Sequence, residues 1–232
     1  MSTLGPLIAS GRDADIFGYG DGLVLRRSRQ GRSMAAEAKV MEYVRSHGYP
    51  VPAVDHLSDD GTDLIMQRID GPSIVEAIRR KPWTLWANGA LLGELHRRLH
   101  QIPGPEWIAA VPGNDGTSLL HLDLHPLNVI LGPSGPMVID WTNAARGDGA
   151  IDVALAWVLM TAAEIPGSRV KAKVLGRARG FLVGAFLAGF ELAPVRAVLG
   201  EVVERKCSDP NMSEAEQRRM REMAQREGRS GL

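Results

Sequence analysis

Between Leu119 and Trp141 the chain concentrates groups that can hold a cation or move a proton. His121, Asp123, His125 and Asn128 fall within eight residues, and Asp140 follows the apolar pair Val138 and Ile139. Asp123 and Asn128 lie on a loop between apolar runs, and Asp140 sits at the end of the next run. Two carboxylates and an amide at strand ends suit a divalent metal and an acid–base task. Mg²⁺ takes a few hard oxygen ligands and completes its shell with substrate phosphates. Asn128 and Asp140 fit that part. Asp123 is better placed to orient a hydroxyl and accept its proton. The plainer reading is that Asp and Asn stand there as turn formers.

The spacing of His121, Asp123 and Asn128 is that of a protein-kinase catalytic loop, and Asp140 stands where that fold keeps a metal-binding aspartate. The run from Asp123 to Asn128, followed by Ile139, Asp140 and Trp141, resembles the aminoglycoside phosphotransferase family more closely. The resemblance extends over nearly the whole chain. It implies a protein-kinase-like, two-lobed α+β fold, with ATP and Mg²⁺ as cofactors. It makes Asp123 the catalytic base and gives the metal to Asn128 and Asp140. It also places His125 near the transferred phosphate, where a purely structural hydrogen-bonding role is the alternative.

A kinase of this kind needs a cation on its third strand and a glutamate on the helix after it. Alternation along Leu23 to Arg27 puts Val24 and Arg26 on one face. On the helix that follows, Glu37 shares an apolar face with Met41 and Val44. A glutamate there needs a partner, and Arg26 is the natural one, so the pair is assigned to nucleotide binding. Arginine departs from the family pattern, which has lysine. It keeps the charge but is larger and planar. The chain has only five lysines among 27 basic residues, so a general arginine bias explains the departure; loss of activity is the other explanation.

The phosphate loop departs too. Ser10 to Asp15 holds one glycine, Gly11, whose neighbouring N–H groups could still meet phosphate. By resemblance, Leu64 to Gly71 is the hinge, with the backbone of Gln67 and Ile69 bonding adenine and Met66 beside it. A buried strand followed by a turn fits that pattern equally well. Asp148 reads as a helix cap, and Asp152 resembles a family aspartate that braces the catalytic loop. His96, on the apolar face with Leu92, Leu95 and Leu99, reads as a satisfied core histidine.

These groups require positioning elements. The first 68 residues read as strands at 7–10, 15–19, 23–27, 51–56 and 64–67, with a helix over 33–46. From residue 69 the chain reads as mainly helical, with helices over 73–80, 83–101, 149–163, 169–190, 194–206 and 213–227. Short strands at 119–122, 129–131 and 137–139 interrupt that series. The expected division is a nucleotide-binding lobe over 1–68 and a helical lobe with the catalytic loop and acceptor site over 69–232. In the last helix Ser213 and Glu216 have capping-box spacing, Gly228 is its stop, and Met220 and Met223 read as packing.

Composition limits the partners. The 232 residues carry 27 basic and 27 acidic side chains, which disfavours nucleic-acid and membrane-surface binding. The single cysteine, Cys207, forms no internal disulfide and no thiolate metal site alone. No leader pattern and no apolar run of spanning length is visible, so a cytoplasmic protein is expected. Seven residues separate Asp140 from Asp148, too few for a peptide-docking activation segment, so the expected acceptor is a small molecule. Residues 165–232 carry 13 basic and 8 acidic groups, a balance that disfavours a polycationic aminoglycoside. The sequence thus points to ATP- and Mg²⁺-dependent phosphoryl transfer to a hydroxyl. The alternative is a nucleotide-binding pseudokinase or interaction protein with little catalysis.

Overall fold

A computed structural model of the chain describes residues 4–11, 13–162, 169–209 and 212–229, and the side chains within these except those of 169–175 and 229. Arg12, in the expected phosphate loop, lies outside them, as does residue 163 at the end of the expected helix over 149–163. In chain order the elements are β1 (Leu4–Ser10), β2 (Ala14–Tyr19), β3 (Leu23–Ser28), α1 (Ala35–Ser46), β4 (Val54–Leu57), β5 (Asp63–Gln67) and α2 (Ile74–Arg80). A 3₁₀ turn at Pro82–Thr84 leads into α3 (Leu85–His100), then β6 (Ser118–Leu120), β7 (Val129–Gly132), β8 (Gly135–Val138) and β9 (Ala145–Gly147). The chain continues with α4 (Gly149–Ala162), α5 (Arg169–Leu187), α6 (Leu192–Cys207) and α7 (Glu214–Arg229).

Two compact units result, one of residues 1–73 with 128–144 and the other of residues 74–127 with 145–232. In the first, an antiparallel sheet has the order β1-β2-β3-β5-β4. Arg26 of β3 lies opposite Ile16 of β2 and Leu64 of β5. Helix α1 buries Glu37, Ala38, Val40, Met41 and Val44, the face its spacing predicts. Strand β4 starts at Val54 rather than Val51, since Pro52 has no N–H to give a ladder.

A continuous boundary at residue 68 would leave the β7–β8 hairpin with the helical unit. Instead it joins the sheet unit, because long-range hydrogen bonds hold it there. Leu131 N–H donates to Pro72 O (2.8 Å) and Val138 N–H to Pro50 O (2.9 Å). Gly71 packs so closely on the Leu131 carbonyl that a Cβ there would lie 2.2 Å from the oxygen. Only glycine allows that approach.

The second unit is built around α4, which is buried nearly all round at Ile151, Val153, Ala154, Ala156, Trp157 and Val158. Helices α3 and α5 meet where Gly89 and Gly93 face the backbone of Leu182 and Phe186. Leu92, Leu95 and Leu99 bury fully along the same helix. Helix α7 starts on the expected capping box, with Ser213 Oγ and Glu216 Oε2 2.8 Å apart. It buries Met220 and Met223, and Arg219 Nε reaches Ala162 O at 2.9 Å. It runs on through Gly228 to Arg229, so Gly228 does not stop it. Among the described residues no single helix is long and apolar enough to cross a membrane; the apolar stretches of α5 and α6 are bent by 119° at their junction.

Candidate active site

Sheet-unit groups converge on Arg26. The side chain is only 11% exposed, and its guanidinium Nη1 pairs with Glu37 Oε1, the partnership the sequence predicts. Its Nη2 donates to Asp140 Oδ1 at 3.1 Å and reaches Thr142 Oγ1 at 3.4 Å. Burial alone would lower the guanidinium pKa, but Glu37 and Asp140 raise it above the ordinary value. The cluster is held from behind by Trp141, whose N–H donates to Glu37 Oε1 (3.3 Å) and whose indole Nε1 donates to Val138 O (3.1 Å). Its ring meets Tyr49 edge-on at 5.6 Å.

Asp140 has a left-handed backbone, with φ of 65°. Aspartate tolerates this better than most residues. The turn ends β8 and leaves the Asp140 carboxylate 41% exposed. Asn128 stands next to β7 in the same unit, and its carbonyl accepts the Ile139 N–H at 3.0 Å. Among the described residues no group of three or more His, Cys, Asp or Glu forms a metal cluster. The residue types that could hold a cation here are one carboxylate, Asp140, and one amide, Asn128, a donor set that would leave phosphate and water to complete the shell.

The helical unit holds the other half of the loop. Asp123 Oδ1 lies 3.7 Å from His125 Nε2. His125 Nδ1 accepts the Leu127 N–H at 3.3 Å, so the neutral imidazole carries its proton on Nε2, toward Asp123. The predicted strand over 119–122 ends at Leu120, because Leu122 turns to a φ of 58°. Leucine gains nothing from that region, so neighbouring structure must hold it. Asp152 supplies the hold. Its Oδ1 accepts Leu122 N–H (2.8 Å), and its Oδ2 accepts His121 N–H (3.0 Å) and meets His100 Nε2 (3.1 Å). Burial by itself would raise the Asp152 pKa, yet the His100 bond and the charges of His96, His100 and His121 bring it well below the carboxylate range. Asp148 caps α4 as read, its Oδ1 accepting Ala150 N–H at 2.8 Å.

His96 is only half satisfied. Its Nδ1 bonds Leu92 O at 2.9 Å, but Nε2 is buried without a partner among the described residues. Burial lowers its pKa from 6.5 to about 4. The folded state therefore binds this proton less readily than the unfolded one. The stabilisation is complete above pH 6.5 and is lost as pH falls toward 4, by up to roughly 3 kcal/mol. Thermal melts from pH 7.5 to 4.5 should show that loss, and His96→Leu should flatten it; an unchanged slope would remove His96 from the account.

Three expected contributors are differently engaged. In the loop whose N–H groups near Gly11 were expected to meet phosphate, the Gly11 N–H itself is donated to Ala14 O at 2.9 Å, and Ser10 Oγ donates to Asp15 Oδ1 at 2.6 Å. Of the Gln67 backbone, assigned to adenine, the N–H is donated to Ala53 O at 2.8 Å. Ile69, beside it, makes no backbone hydrogen bond among the described residues. Met66 pairs with Val24 and Val54 inside the sheet. Thr142 and His100 were missed in the sequence. Thr142 stands two residues after Asp140 and could have been noticed there; His100 carries no local signal.

Residues 106–190 match the model of the phosphotransferase enzyme family called APH. Among curated proteins none matches the sequence. Solved structures share the fold. A thermostable mutant of aminoglycoside phosphotransferase APH(4)-Ia, in ternary complex with ADP and hygromycin B, is 17% identical with a TM-score of 0.63, covering 97% of this chain and 95% of its own. A choline/ethanolamine kinase family protein from Mesorhizobium loti is 16% identical with a TM-score of 0.57, covering 97% and 86%. An amicoumacin kinase in complex with AMP-PNP, Ca²⁺ and Ami is 15% identical with a TM-score of 0.52, covering 99% and 88%. The fold is protein-kinase-like α+β, as the sequence predicts.

Proposed function

Starting from a chain with the fold of small-molecule kinases and an APH phosphotransferase match over 106–190, we propose that it transfers the γ-phosphoryl group of ATP to a hydroxyl of a small molecule. The observation that carries this reading is the cluster of Arg26, Glu37 and Asp140, which places a fixed cation beside an exposed carboxylate. Arg26, held by Glu37, would bind the α- and β-phosphates. Asn128 and Asp140 would hold Mg²⁺, which when bound neutralises charge on the phosphates. Asp123 orients the acceptor hydroxyl and takes its proton as the new O–P bond forms. His125 keeps its Nε2–H on the side of Asp123 and would serve the transferred phosphate. Met66, Gln67 and Ile69 remain the proposed adenine neighbours, with the Gln67 N–H already donated to Ala53 O. Positioning and charge neutralisation do most of the work in such a reaction.

Proteins of similar fold are named an aminoglycoside phosphotransferase, in complex with hygromycin B, a choline/ethanolamine kinase family protein and an amicoumacin kinase. Likeness of fold therefore selects no acceptor. The net +5 balance of residues 165–232 favours one that is not a polycation.

Calorimetric titration of ATP, with and without Mg²⁺, on wild type and Asp140→Ala tests the reading. Mg²⁺ should strengthen binding to wild type. The variant should lose that enhancement by at least about tenfold, the scale of one lost charged partner. Binding that ignores both metal and mutation would favour a nucleotide-binding protein with little catalysis. Arg26 in place of lysine is the observation on that side.

A further inference from the structure

Arg26, proposed to bind phosphate, is bonded to two carboxylates, Glu37 and Asp140. Its Nη2 lies 3.1 Å from Asp140 Oδ1, on the carboxylate assigned to the metal. Thr142 closes the arrangement: its hydroxyl is 3.0 Å from that same Oδ1 and 3.2 Å from Glu37 Oε2. One hydroxyl proton can serve only one of these carboxylates at a time. Asp140 Oδ1 thus receives a guanidinium and, in one of two hydroxyl settings, the Thr142 proton as well.

The arginine matters for this geometry. A guanidinium fork is planar and rigid, so Nη1 can hold Glu37 while Nη2 holds Asp140. It also cannot be neutralised by losing a proton. A cation approaching Asp140 therefore meets one already paired with it, and the guanidinium must move for the carboxylate to be released. Phosphate oxygens offer Arg26 an anionic alternative and would draw Nη2 away.

We propose that Arg26 is an internal counter-ion competing with the metal for Asp140, that Thr142 is the latch holding the carboxylate to it, and that cation binding is thereby coupled to nucleotide binding. The proposal rests on the phosphotransferase reading for the identity of the nucleotide. The competition at Asp140 rests on geometry alone. Linkage makes the coupling reciprocal: nucleotide strengthens cation binding by the factor by which cation strengthens nucleotide binding.

The test follows Mn²⁺ binding by water-proton relaxation in wild type, Arg26→Lys and Thr142→Val, each with and without ADP. Wild type should bind Mn²⁺ alone about tenfold or more weakly than in the presence of ADP. Both variants should bind Mn²⁺ alone about tenfold more tightly than wild type, with the coupling to ADP shrinking by the same factor. A merely structural role for Arg26 or Thr142 would lower Mn²⁺ affinity or leave it alone. Equal Mn²⁺ affinity in all three proteins without nucleotide overturns the proposal, as does a weaker affinity in the variants. Thr142→Val keeps shape and leaves the buried Arg26–Glu37 pair intact, so it decides the matter if Arg26→Lys does not fold. Absence of ADP binding in every protein would sink the phosphotransferase reading, while the Mn²⁺ comparison would still judge the competition at Asp140.

Discussion

Asp123→Asn should lower the rate of phosphoryl transfer by about 10²–10⁴-fold while leaving ATP affinity within about twofold. The amide has nearly the carboxylate's size and can still accept one hydrogen bond from an acceptor. It cannot take the hydroxyl proton. His125 sharpens the case. Its Nδ1 is occupied by the Leu127 N–H, so the Nε2 proton faces Asp123 at 3.7 Å and no free imidazole nitrogen remains to act as a replacement base. Arg26, Glu37 and Asp140, the proposed nucleotide groups, belong to the sheet unit and Asp123 to the helical one, so the substitution leaves their mutual bonds in place. Single-turnover transfer from ATP to an acceptor found in a hydroxyl screen measures the rate, and calorimetry measures ATP affinity. A fall of tenfold or less would mean that Asp123 does not take the proton. A matching loss of ATP affinity would mean that it serves binding instead.

What could be read from the sequence was what local patterns encode. Alternation on β3 and the i, i+4, i+7 face of α1 located Arg26 and Glu37 on converging surfaces, and the pair forms. The capping box at Ser213 and Glu216, and the buried Met220 and Met223, follow from spacing on one helix. Features made by distant chain pairing were not legible. Nothing local assigns the β7–β8 hairpin to the first unit; its bonds to Pro50 and Pro72 do. The three-residue β9 has neither alternation nor β-branched residues, and it exists through its ladder with β6. Leu122 lies in an apolar run that reads as strand, and only Asp152, 30 residues later, explains its left-handed turn. Within the candidate site the residue types were visible, but donor occupancy was not. The backbone near Gly11 and at Gln67 was offered to a nucleotide, and the N–H groups of these two residues are spent within the protein, on Ala14 and Ala53. Asp140, read as a metal ligand, also bonds Arg26 and Thr142, which no local pattern announces.

That dependence on Asp152 makes Asp152→Asn the most damaging conservative change in the helical unit. The carboxylate is 1% exposed and spends both oxygens on donors: Leu122 N–H on one, His121 N–H and His100 Nε2 on the other. An asparagine must turn its NH₂ toward one of those sides. Either the Leu122 N–H faces a donor, or the His121 N–H and His100 do. Leaving a buried donor unsatisfied costs about 1–3 kcal/mol, and more where its lost partner was a charged group. His100 can relieve part of this by shifting its proton to the other ring nitrogen. A net loss of about 3 kcal/mol is expected, seen as a fall in Tm of roughly 6–12 °C for a chain of this size. Stability alone would not separate bracing from packing, so the decisive reading is the rate measured well below the melting transition. The strained φ of 58° at Leu122, next to Asp123, persists only while the surroundings impose it. Released, the loop should carry Asp123 off its productive position, and a misplacement of 1 Å can cost about 10²-fold in rate. The folded variant should therefore lose kcat while ATP binding to the sheet unit holds. If it melts early yet turns over normally at low temperature, Asp152 is a packing residue and the left-handed turn at Leu122 sustains itself without it.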